Sequence, residues 1–107
     1  MPFHKGEIER LRQQGVAETD LHELMDDVTG IETYVGKCNV SEAIEWYTAL
    51  VQDVNEIPRH HQPTPGPAGY DAMVNLTREL WNLKAEALKY TVNGIETCIL
   101  KKRPTHT

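Results

Sequence analysis

The stretch YDAMVNLTRELWNLKAEALKYTVNGIETCIL, residues 70 to 100, decides the fold, because it contains no proline and carries two apolar periodicities at once. Met73, Leu76, Leu80, Leu83, Ala87, Tyr90 and Gly94 recur in alternating steps of three and four, the seam spacing of packed helices. A second stripe, Leu88, Val92, Ile95 and Ile99, takes over toward the C-terminus. One face cannot hold both sets, so the spacing predicts a single long helix over 70–103 that touches more than one neighbour. Lys101, Lys102 and Arg103 place positive charge at its end, where the helix dipole favours it, and Pro104 stops it.

Working outward, residues 58–69 read as a stiff extended connector, since Pro63, Pro65 and Pro67 restrict the backbone and remove donors. Before it, residues 20–57 read as an antiparallel helical hairpin that Pro58 closes. Its first arm starts at Asp20 with Glu23 as a reciprocal cap, carries Leu21, Leu24, Val28, Ile31 and Val35 on one stripe, and ends at Gly36. Its second arm starts at Asn39 or Ser41 and carries Val40, Ile44, Tyr47, Val51 and Val54, widened by Trp46 and Leu50. A short helix over 2–14, with only Ile8 and Leu11 as an apolar edge, precedes the hairpin and is expected to dock only on assembly.

The expected architecture is therefore a single all-α domain spanning 1–107, a hairpin packed on one long C-terminal helix. At about 1.5 Å per residue the second arm spans roughly 27 Å and the last helix roughly 46 Å. The final dozen residues are then expected to overhang the hairpin. That overhang carries Val92, Ile95, Ile99 and Leu100, which become candidates for an interface between copies.

The 107 residues fit one domain. No run approaches the ~18 apolar residues of a membrane span and the start lacks a signal-peptide core, so the expectation is a cytoplasmic protein with no membrane partner. In that setting Cys38 and Cys98, sixty positions apart, are expected to be unpaired thiols. The net charge of -5 is unevenly spread: residues 1 to 57 hold twelve acidic and four basic side chains, and residues 58 to 107 hold four and seven. Such halves attract each other within a chain or between copies.

Two acidic pairs, Glu23 with Asp26 and Glu42 with Glu45, have the helical spacing with which all-helical nucleotide pyrophosphatases hold magnesium. Both sit in first turns, where the dipole itself favours acids, and their order is the reverse of that family's. His22 with Asp26, and His60 beside His61, lack further metal partners. There is no phosphate loop, nucleophile elbow or paired-cysteine motif. No enzyme, metal or cofactor is expected. A sequence isoelectric point near 5.5, with basic residues interleaved among acids, excludes duplex nucleic acid as the main partner. A small anionic ligand between subunits needs only two or three cations and an aromatic to stack on; Tyr70, Arg78, Trp81, Lys84 and Lys89 are the candidates.

His61, Pro63 and Thr64, then Tyr70-Asp71-Ala72-Met73 and Arg78-Glu79-Leu80, resemble the His-Pro-Pro-Thr, Tyr-Glu-Ala-Leu and Lys-Glu-Leu run of phage-encoded sponges for cyclic oligonucleotide immune signals. The resemblance covers residues 61 to 80. It implies an all-helical, non-catalytic homo-oligomer, a phage or viral accessory protein that sequesters a cyclic oligonucleotide between subunits, with Tyr70 stacked on a base. The other expected class is a protein-binding adaptor, inhibitor or assembly component that docks through the overhang.

Overall fold

The computed structural model describes residues 5 to 61 and 65 to 102. It contains four helices, α1 (Lys5–Gln13), α2 (Glu18–Gly36), α3 (Val40–His60) and α4 (Pro67–Lys102), and no strand among the described residues. The all-α expectation holds. Residues 2 to 4 of the expected first helix, the middle of the connector at 62–64, and Arg103 with Pro104 lie outside the described residues.

The helix ends show which local signals decided them. Gly15 and Cys38 both adopt left-handed backbone, φ 88° and 55°, and each closes its helix in the same way. After α1, the Val16 N–H donates to Leu11 and the Gly15 N–H to Arg12; after α2, the Asn39 N–H donates to Tyr34 and the Cys38 N–H to Val35. This is the six-to-one and five-to-two pattern that satisfies orphan carbonyls. Cysteine stands in the second turn where glycine is usual. α2 begins at Glu18, two residues before the expected cap, with Ala17 before it and no side-chain cap. Asp20 instead meets His60, Oδ1 to Nδ1 at 3.2 Å, and Glu18 meets Arg12, Oε2 to Nε at 2.8 Å. That hydrogen bond from Arg12 holds the Glu18 carboxyl below its ordinary range. The Asn39 cap is as expected, its Oδ1 accepting from the Glu42 N–H at 3.2 Å.

α3 runs through Pro58 to His60 and is not closed by it. Proline's fixed φ is helical and its missing donor costs only the one bond back to the preceding turn, so the bonds that follow still form, the His61 N–H donating to the Ile57 carbonyl at 3.1 Å. The apolar register of α3 also differs from expectation. Ala43, Leu50, Val54 and Ile57 are the buried set, while Ile44 is 49% exposed. Two stripes one residue apart overlap on this helix, and α2 selects one: Gly30 leaves room for the Trp46 ring, where a Cβ would overlap it.

The core joins Leu21, Leu24, Val28 and Ile31 of α2 to Leu50, Val54 and Ile57 of α3 and Leu76, Leu80, Leu83 and Ala87 of α4. Ile8 and Leu11 of α1 belong to the same cluster, 4% and 0% exposed. The first helix thus docks within its own chain, against the expectation that it waits for assembly. Arg10 Nε fixes it to Glu79 Oε2 of α4 at 2.8 Å.

α4 runs antiparallel to α3. Lys84 Nζ bonds Asn55 Oδ1 at 3.2 Å, and farther along a disulfide joins Cys98 to Cys38, with Cα atoms 5.5 Å apart. The thiols expected to be free are therefore paired, because the hairpin turn and α4 meet at these two positions. The same register corrects the expected overhang. The hairpin turn reaches Cys98, and Gly94 packs so closely on Val35 that a Cβ would overlap it. At the other end His60, five residues beyond Asn55, falls level with Glu79, five residues before Lys84. The surplus length of α4 is its first dozen residues, where α1 lies beside it, and not its last dozen. The whole measures 65 × 21 × 21 Å.

Candidate functional site

α4 presents two lines of apolar side chains, as its sequence requires. At 100° per residue, Leu76, Leu80, Leu83, Ala87 and Cys98 fall within about 40° of one line, and all are buried. Tyr70, Val74, Trp81, Ala85, Leu88, Val92, Ile95 and Ile99 fall within about 40° of a second line, roughly 120° away. This second line faces outward. Tyr70 is 72% exposed and Trp81 64%, and Val74, Leu88, Val92 and Ile99 are also exposed.

Seven of the eight large hydrophobic side chains exposed among the described residues belong to α4, and all but Leu100 lie on this line. Such concentration sets the face apart, since scattered exposed leucines are ordinary but a contiguous stripe is not. From Trp81 onward the positions 81, 85, 88, 92, 95 and 99 step by four and three without a break. That is the seam one helix presents to another.

Two open grooves flank the line. Tyr47 and Val51 of α3 with Trp81, Lys84, Ala85 and Leu88 of α4 form the first. Val92, Ile95, Glu96, Ile99 and Leu100 form the second, farther along. The expected interface residues Val92, Ile99 and Leu100 are thus exposed and Ile95 is half-buried, but they face sideways from a covered helix and do not project past the hairpin.

Of the ligand candidates, Tyr70 and Trp81 fall on the outer line, while Arg78 and Lys89 lie on one flank of it and Lys84 on the other, the five strung over about 28 Å of helix. The structure brings two of them together: Lys84 Nζ lies 4.2 Å from the centre of the Trp81 ring, a cation–π pair that Asn55 steadies through its bond to the same ammonium. Arg78 instead borders a groove with Gln14, Ala72, Asn75 and Glu79. Val74 and Ala85 belong to the line as well, beyond the residues the sequence expectation names. The heptad spacing traced back from Leu88 finds Ala85 and Trp81, but the bulk of Trp81 and Tyr70 suggested base stacking and drew them away from the stripe they belong to.

The acidic pairs at Glu23 with Asp26 and Glu42 with Glu45 do not converge, and no group of three or more His, Cys, Asp or Glu among the described residues is placed to hold a metal ion. A different acid stands out. Asp27 is 4% exposed, and its Oδ2 has no hydrogen-bond partner. Burial pushes its pKa up to about 8, helped by a hydrogen bond with Asp53 across the hairpin and by the charges of Asp53, Glu23 and Asp26. At neutral pH this carboxyl keeps its proton, and the α2–α3 seam holds a neutral acid. The charge division along the sequence is little used between helices among the described residues: the ion pair of Arg10 with Glu79 runs against it, the pair of Arg59 with Glu56 runs with it but stays within one turn of α3, and Asp20 meets the His60 ring.

No helix among the described residues is long and apolar enough to cross a membrane. No family model, curated protein or solved structure matches the chain.

Proposed function

We propose that the chain acts by binding and not by catalysis, as a self-associating helical protein whose outer α4 face is the interface between copies. The observation that carries this reading is the exposed heptad line from Trp81 to Ile99, continued by Val74 and Tyr70. Together these side chains offer several hundred Å² of apolar surface, of the same order as the ~800 Å² per partner that a standard interface buries. Burial at about 25 cal/mol per Å² gives such a face a strong drive to be covered.

Trp81 supplies the test. It is 64% exposed in the single chain, so its emission shifts to the blue as concentration rises and the face is covered. Leu88→Glu, which puts a charge in the middle of the line at an exposed position, keeps the helix and abolishes the shift. Emission independent of concentration, and equal in the two proteins, refutes the reading.

A second reading follows from the Lys84 and Trp81 pair. Two copies meeting along α4 bring two such pairs, with Arg78 and Lys89, toward one seam, and this suits a small anionic ligand with stackable rings, the cyclic oligonucleotide implied by the resemblance. Calorimetry with a panel of cyclic dinucleotides and trinucleotides measures it directly; absence of heat at high micromolar concentration rules it out. The disulfide shifts the expected location, since such bonds are uncommon where thiols are kept reduced.

A further inference from the structure

We propose that two copies pair through α4 in antiparallel orientation about a two-fold axis, with Arg78 of each copy set against Glu96 of the other. This rests on the self-association reading and adds its register. When Ala85 is placed beside Leu88 of the second copy, Trp81 falls level with Val92 and Val74 with Ile99, and symmetry repeats each layer. Each of these three layers joins a larger side chain to a smaller one or to one of moderate size, as a helix–helix seam requires, and Ile95 falls level with Arg78 beside the Glu96 contact.

Charge selects the same arrangement. Arg78 and Glu96 are exposed, lie on the same flank of the apolar line about 60° from it, and make no ion pair among the described residues. Nor does α4 offer either one an opposite charge three or four residues away, the spacing at which helical ion pairs form. In the antiparallel register they come level, so two isolated charges of opposite sign meet at each end of the seam. A parallel pair does the reverse. It stacks Trp81 on Trp81 and Ala85 on Ala85 in successive layers, and it sets Lys84 of one copy against Lys89 of the other, the like-charge contact that coiled-coil flanks avoid.

Sedimentation equilibrium of the full, oxidised chain tests the pairing. Arg78→Glu and Glu96→Arg, both at exposed positions, each raise the dimer dissociation constant roughly tenfold by turning two attractions into repulsions. The double variant, Arg78→Glu with Glu96→Arg, returns it to within about threefold of the unsubstituted protein, as a coupled pair does. Single variants without effect, or a double variant as weak as the singles, overturn the antiparallel register; if Leu88→Glu still dissociates the dimer in that case, self-association through α4 survives. A monomer for the unsubstituted chain overturns both.

Discussion

Cys38 and Cys98 are bonded across the junction of the hairpin turn and α4, closing a loop of 60 residues between the α2–α3 turn and the last turns of the chain. A loop of that length takes about 4 kcal/mol of conformational freedom from the unfolded chain in the entropic account, and measured native disulfides contribute ~2–5 kcal/mol. Reduction under native conditions therefore lowers Tm by well over 5 °C, while the far-ultraviolet helix signal at 20 °C is largely kept. A Tm that does not respond to reductant contradicts the bond.

The left-handed backbone of Cys38 adds a sharper prediction. Among variants without the disulfide, Cys38→Gly with Cys98→Ala is more stable than Cys38→Ala with Cys98→Ala by about 1 kcal/mol, because only glycine adopts φ 55° without cost. Chemical denaturation of the two proteins gives the difference directly.

Gly30 is the place where α2 yields to α3. Alanine at an exposed helical glycine stabilises by about 1 kcal/mol, but here the added methyl meets the Trp46 ring. Gly30→Ala is expected to destabilise by ~1–3 kcal/mol through overpacking. Gly36→Ala, at a site with nothing near its Cβ, is the control and should be neutral or stabilising. Equal effects at the two positions contradict the packing.

How much of this was legible beforehand depends on the length of the periodic signal. Leu21, Leu24, Val28 and Ile31 offer one stripe and no rival, and all four are buried in α2. α3 carries two stripes a residue apart, and only Gly30, receiving Trp46, chooses between them. The disulfide and the direction in which α4 overshoots the hairpin were hidden for one reason: both depend on the register of α4 against α3, and adding residue lengths does not fix where two helices start. The outer line is half-visible in the sequence, because Leu88 to Ile99 show its period while the rings of Trp81 and Tyr70 point as readily to base stacking.

Asp27 makes stability depend on pH in an unusual direction. Its carboxyl binds a proton up to about pH 8 in the folded chain and up to about pH 4 when unfolded. Between these values the folded state holds more protons, so raising the pH lowers stability, at up to ~1.4 kcal/mol per pH unit. Asp27→Asn removes this slope. The difference in Tm between variant and parent should therefore be small near pH 4 and grow through pH 7 in the variant's favour. A constant difference across that range contradicts a protonated Asp27.

The central claim is that the outer face of α4 is covered by a second copy. The most direct measurement is the molar mass of the oxidised protein by light scattering at several concentrations. The account predicts a mass rising to twice 12.2 kDa, with Leu88→Glu held at the single-chain value. A mass of 12.2 kDa at every concentration up to high micromolar contradicts it.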